Sequence, residues 1–515
     1  MLGQRVLLAL ATAGMALVGA AFASPASAAI GRPSVTLTPS SGGAGSTADL
    51  GVDIKFTPTG GDSTKDLALE LPAGLIANAS IDGGTCVHIS VPTSACQVGT
   101  GTLTATALGL LPVKLPATFD LVSPPRPGDL AGLVVVVNNP LTIKKQQVQL
   151  GNAADITLRP ASDPAGVGLN IIFRNMPNAF DNLSIALKEI NSTFQGLRFP
   201  STCPSTPANL TVVADSYKDR TLQTASAPLT VTGCSGLPYA PAFSVAATRN
   251  AADAGVQIVS TVTQTADQAT TGKLALALPP AVVAPNAESV LKYNLLCADP
   301  ASGSCTPIGT ALAVSPLYPL PLTGKVYLTG QLLAPAVSIV FPPPFPITLN
   351  GSLSLATNTT TFTGIPDIPL TRLQVSLAGG PAAAFMSTCQ TPSGTATATL
   401  TTQNGDRTAS VASAFRVANC VPPTTLVGGT GGSISRPTLH RPAILIGMLK
   451  GLAAGRPTLS VTVAAGKGRP KLRTLTVIAP RGLRFVTHRV HGRRRIVGIS
   501  VIHAGIRSWS LHRGR

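Results

Sequence analysis

Charge is scarce in this chain. Only 11% of its 515 residues are Asp, Glu, Lys or Arg, against about a quarter in typical soluble domains, so Thr, Ser, Asn and Gln must supply most of the polar surface. Aromatic rings are also few, with one Trp, five Tyr and fourteen Phe. A surface that stacks nucleobases needs exposed rings in number, and such a role is disfavoured. No G-x-S-x-G elbow, phosphate-binding glycine loop or dinucleotide fingerprint occurs. Beyond the first 29 residues no apolar run is long enough to cross a bilayer; the best, residues 442–454, is short and holds Lys450. Wholesale disorder is excluded by a hydrophobic content of 44%, and 50 Gly with 45 Pro fall short of low complexity.

The first residues have the order of a secretory signal: Arg5, an apolar run from 6 to 22, Pro25, then Ala26-Ser27-Ala28. Export with cleavage after Ala28 is expected, and no transmembrane helix after it. Eight cysteines in an exported chain are expected to pair. Cys86 and Cys96 lie ten apart and Cys203 and Cys234 thirty-one apart; Cys297 and Cys305 lie eight apart and Cys389 and Cys420 again thirty-one. One short-long pattern is used twice. Eight cysteines formally allow roughly a hundred connectivities, but a duplicated module favours pairing inside each copy: 86–96, 203–234, 297–305 and 389–420.

Neighbouring residues repeat as well. Ser201-Thr202-Cys203 returns as Ser387-Thr388-Cys389, and Asp219-Arg220-Thr221 as Asp406-Arg407-Thr408, at offsets of 186 and 187. Val98-Gly99-Thr100 after Cys96 parallels Ile308-Gly309-Thr310 after Cys305. A partial third copy follows, in which residues 455–462 echo 31–38 and residues 472–483 echo 67–75, without cysteine.

The string Leu71-Pro72-Ala73-Gly74-Leu75, then Cys86 and Cys96-Gln97-Val98-Gly99-Thr100, resembles the Pro-Gly-Leu, Cys and Cys-x-Val-Gly-Thr modules repeated in large secreted β-rich proteins of high-GC actinobacteria. The resemblance spans most of residues 31–420 and implies an extracellular repeat protein without implying a reaction. The second copy departs from it, with Ala281 in place of the glycine and a longer stretch before Cys297.

Period-two alternation rich in β-branched residues marks strands at 35–38, 51–56, 67–71, 101–107, 133–138, 210–213, 256–262 and 397–402. The fold class expected is all-β: tandem Ig-like β-sandwich modules pinned by disulfides, then a flexible Gly/Pro linker and a basic β-rich C-terminal module. Each copy of about 190 residues exceeds one Ig-sized sandwich of about 100. The expected division is therefore 1–28 signal, 29–128 and 129–235 for copy 1, 236–335 and 336–420 for copy 2, 421–433 linker, and 434–515 basic module.

Charge is segregated. Seventeen of the 38 Lys and Arg, and no Asp or Glu, lie in residues 421–515, so nearly all of the net charge of +18 sits there. Such a segment attracts polyanions in a salt-dependent way. Arg473, Arg484, Arg489, Arg493, Arg494 and Arg495 are the candidate contacts, and the partner expected is an anionic cell-wall polymer or membrane surface rather than a specific nucleic acid. The competing reading is that these arginines only solvate outer strand faces.

Catalysis finds no footing. Cys86-Val87-His88 puts a thiol near a base, but Cys86 is expected in a disulfide, which leaves no nucleophile. His488 and His491 lack a carboxylate or thiol to complete a metal site. Asp53, Asp62, Asp66 and Glu70 are close in sequence but have the character of surface residues. Leu320-Pro321-Leu322-Thr323-Gly324 matches a sorting motif yet lies almost two hundred residues from the end. No catalytic residue, metal or cofactor is expected. The function expected is a cell-envelope-associated structural or adhesive repeat protein; the alternatives are a carbohydrate- or ligand-binding protein using sandwich-end loops, and an undetected hydrolase.

Overall fold

The computed structural model describes residues 30–420, except 59–61, 109–110, 139–146, 161–164, 181–182 and 251–253, together with six strands between 443 and 513. The expected signal (1–28) and linker (421–433) lie outside the described residues. The chain divides into two compact units, Met1–Pro423 and Thr424–Arg515. Among the described residues helix is confined to one six-residue α-helix, Ala287–Lys292 (α1), and four short 3-10 segments. All eight stretches read as strands from alternation fall on strands, with Phe56 and Leu71 one residue past the ends of theirs.

Copy 1 contributes eleven principal strands: β1 (Ser34–Pro39), β2 (Thr47–Lys55), β3 (Thr64–Glu70), β4 (Gln97–Ala107), β5 (Leu111–Val122), β6 (Ala131–Asn138), β7 (Ala154–Pro160), β8 (Val167–Phe173), β9 (Leu183–Arg198), β10 (Ala208–Ser216) and β11 (Gln223–Leu229). They hydrogen-bond in the order β1, β2, β9, β4, β5, β6, β7, β8, β3, β10, β11. Beyond β1 and β11 the chain ends meet, where Ala44 N–H donates to Thr232 O and Thr232 N–H to Gly42 O, both at 2.8 Å.

Copy 2 supplies β12 (Ala242–Arg249), β13 (Val256–Thr263), β14 (Thr271–Ala277), β15 (Gly309–Val314), β16 (Leu322–Gln331), β17 (Ala334–Val340), β18 (Thr348–Ser354), β19 (Thr359–Thr363), β20 (Arg372–Leu377), β21 (Ser393–Thr402) and β22 (Thr408–Ala418). Their order is β12, β13, β20, β15, β16, β17, β18, β19, β14, β21, β22. Here the ring closes by parallel pairing of β12 with β22 through Ala247–Val417 and Thr248–Ala418. The two orders are the same, strand for strand. The duplication inferred from cysteine spacing is therefore a duplication of topology.

Burial follows the pleat. In β2, Leu50, Val52 and Ile54 are buried while Gly51, Asp53 and Lys55 between and beyond them are not, as alternating side-chain directions require. Each ring encloses one hydrophobic core. The half-module boundaries at 128 and 335 fall within these rings: β5 pairs with β6, β16 with β17, and β9 inserts between β2 and β4. Strands from both halves thus share one sheet and one core. Alternation reveals strands but not partners, so this arrangement was not readable from spacing.

The Ala281 departure from the repeated motif has a backbone reason. Leu75 N–H bonds Pro72 O at 3.0 Å, closing a turn whose third residue, Gly74, has φ +75° and no room for a Cβ beside Pro200. In copy 2 the same turn is closed by Val282 N–H to Pro279 O, with a further bond from Val283 N–H. Ala281 stays out of the left-handed region, so glycine is not needed there.

In the second unit, β23 (Ala443–Lys450) pairs with β24 (Thr458–Ala464), β25 (Thr474–Ala479) runs parallel to β28 (Ser508–Arg513), and β26 (Thr487–Val490) forms a hairpin with β27 (Arg493–Ile496).

Candidate functional site

The four disulfides join Cys86 to Cys96, Cys203 to Cys234, Cys297 to Cys305 and Cys389 to Cys420, and no described cysteine is free. Such pairs belong in an oxidising compartment. Cys86 lies on the 3-10 segment Ile81–His88 rather than on a strand. It is buried and bonded while His88 is exposed, so the two do not form a nucleophile and base. Asp82 approaches both sulfurs, but a disulfide has no thiolate left to bind a metal.

Several acidic residues of copy 1 are held by cations or backbone donors. Arg220 bridges Asp66 at 2.9 Å and Asp215 at 3.1 Å, and Asn175 N–H donates to Asp66 at 2.8 Å. Burial pushes Asp215 up; for Asp66 burial works the same way but is outweighed by the Asn175 N–H and Arg220, which hold it low. Asp155 takes Arg174 at 2.9 Å and Arg126 at 3.4 Å. Asp53 pairs with Lys55 at 3.2 Å, and Asp62 caps the N–H groups of Ser63 and Lys218. These contacts organise turns and strand edges.

The densest polar cluster joins the two copies. Asp367, 2% exposed, accepts from Ser201 N–H at 2.9 Å, Ser201 Oγ at 2.8 Å and Thr270 Oγ1. Burial raises its pKa despite these donors. Its own N–H donates to Ala165 O at 2.9 Å. Around it, Arg198 donates to Ala266 O at 2.6 Å, Asn404 reaches Ser201 O at 2.9 Å and receives Cys203 N–H at 3.1 Å, and Arg407 donates to Leu237 O and Ser235 O. The repeated Ser-Thr-Cys therefore does different work in each copy. Ser201 binds a carboxylate of copy 2, whereas Ser387 donates to Val282 O within its own copy at 2.8 Å. Sequence identity between the two triplets gave no signal of that difference.

Among the candidate polyanion contacts, Arg473 and Arg484 lie outside the described residues. The hairpin β26–β27 carries the other four: its register sets Arg489 opposite Arg494, Val490 opposite Arg493 and His488 opposite Arg495. Of the proposed metal pair, His491 also lies outside the described residues.

One feature of the described residues escaped the sequence entirely. Copy 2 encloses an apolar cavity of about 130 Å³, against about 40 Å³ for that inside copy 1. Side chains from β12, β13, β14, β16, β17, β18, β19 and β20 line it, and the only polar ones are Ser260 and Thr360. The two rings also differ beside the shared glycine. Gly99 is flanked across the sheet by Phe119 and Phe194, whose rings pack 5.2 Å apart. Its counterpart Gly309 is flanked by Val326 and Leu377.

No family model and no curated protein matches this chain. Solved structures that match include an enterococcal surface protein (7% identity; 75% of this chain and 94% of that one; TM-score 0.16) and a serine-rich repeat protein from Streptococcus agalactiae (8%; 77% and 95%; 0.17). A type II cohesin dyad from the ScaA scaffoldin of Acetivibrio cellulolyticus also matches (13%; 73% and 94%; 0.16). Superpositions this loose carry no argument about role; the fold stands on the strand orders above.

Proposed function

We propose that the chain is an exported, cell-envelope-associated structural or adhesive protein without catalytic activity. The twin rings act as a rigid, disulfide-pinned spacer, and residues 434–515 hold an anionic cell-wall polymer or membrane surface. The observation that carries this reading is the segregation of charge. Ring acids such as Asp66, Asp155 and Asp215 are matched by arginines, whereas the 421–515 segment has seventeen cations and no acid.

Like charges directly across a ladder are unfavourable, and Arg489 opposite Arg494 is such a pair. An external polyanion would relieve it. Changing Arg493, Arg494 and Arg495 together to Gln in the full chain is expected to weaken binding to purified anionic wall polymer or phosphatidylglycerol vesicles. The slope of log affinity against log salt should fall by about two to three. Arg372→Gln with Arg416→Gln, both exposed on ring strands, should change neither. Equal binding and equal slope in the triple variant would reject the role of this hairpin.

A further inference from the structure

We infer that the cavity of copy 2 is a binding site for a single alkyl chain. This site owes nothing to the basic segment and emerges when the two rings are compared. Their strand orders coincide, and the glycine of the shared motif sits at the same place in each. Copy 1 sets Phe119 and Phe194 beside it, and both line the smaller space; copy 2 sets Val326 and Leu377 there, and of these Leu377 lines the cavity. An unfilled void in a core is destabilising, and a ligand would recover that loss.

The lining selects the chemistry. Apart from the Ser260 and Thr360 hydroxyls it is hydrocarbon, so a charged or strongly polar group inside would be left without partners. Water gains little there either, since apolar cavities of this size stay dry and accept apolar guests. A space of about 130 Å³, touched by eight strands and by Ala287 and Val290 of α1, is close in size to apolar cavities that hold a benzene ring. That volume takes a short chain of about six carbons.

The entrance is apolar as well. Of the lining residues, Ala287 and Leu355 are exposed and Leu332 is half-buried, placing the opening at α1, the turn after β18 and the β16–β17 turn. Next to them in sequence, Leu291 and Leu333 are 59% and 70% exposed. An amphiphile would leave its head in water at this collar, with the chain inside.

The test titrates the full-length protein with monomeric hexanoate and hexanol by calorimetry, and separately with phosphatidylglycerol vesicles. Saturable binding of one hexanoate or hexanol per chain is expected, weakened about tenfold or more by Leu377→Phe, which sets a ring where copy 1 has one. Leu353→Trp narrows the space from a half-buried wall position and decides the matter if Leu377→Phe does not fold. Phe194→Ala in copy 1 should leave this site unaffected. Binding to vesicles alone, lost in these filling variants, would identify the chain of a bilayer phospholipid as occupant rather than a free amphiphile. The inference is overturned if neither probe nor vesicle binds the cavity, or if folded filling variants bind all three as the unaltered protein does.

Discussion

Replacing Cys203 and Cys234 together by Ala is expected to lower the free energy of unfolding by about 3–4 kcal/mol, the entropy of closing a loop of that length. The pair closes thirty-one residues of copy 1, bringing the chain after β9 to the end of the ring beyond β11. Cys297 and Cys305 close only eight, and the same replacement there should cost about 2–3 kcal/mol. Guanidinium denaturation of the oxidised proteins measures both. Equal losses, or none, would show that the disulfides do not stabilise the rings through loop closure.

Asp367→Ala is expected to cost about 2–4 kcal/mol, because it leaves Ser201 N–H without its acceptor inside the contact and strips Arg198 of a nearby anion. Ser201 and Thr270 hydroxyls, 2.5 Å apart, can still pair with each other, which limits the loss. Asp367→Asn should cost less and should change the pH dependence. Burial raises the folded pKa of Asp367 above its unfolded value, so between the two values the folded state holds a proton that the unfolded state has released. Its contribution is fully present below the unfolded pKa and declines as pH rises through the window up to the folded pKa. Denaturation between pH 4 and 7 should show that decline in the parent relative to Asp367→Asn. Parallel profiles would exclude a titrating carboxylate at this position.

Much of this architecture was legible in the sequence, for identifiable reasons. Cysteine spacing is conserved under duplication, so the short-long pattern pointed to four bonds inside two copies. Alternation such as Leu50, Val52, Ile54 marks a strand with one buried face whatever its partner. Pairing is different: nothing in residues 183–198 announces that this strand inserts between β2 and β4, because partner choice is set by the whole core. Likewise Asp367 follows a proline in an unremarkable loop, and its role depends on Ser201 arriving from 166 residues away. The cavity was hidden for a related reason. Leu377 is an ordinary strand residue, and only the register that aligns it with Phe194 shows that a cavity wall of copy 2 lacks a ring present in copy 1.

In the proposed spacer the two copies act as one body rather than as two beads, and the contact around Asp367, with Asn404 and Arg407 beside it, is the densest polar link between them. Scanning calorimetry of the full-length protein against Asp367→Ala tests it most directly. The account predicts one cooperative transition for both rings in the parent and two separated transitions, at least one at lower temperature, in the variant. Two transitions in the parent, unchanged by Asp367→Ala, would contradict it.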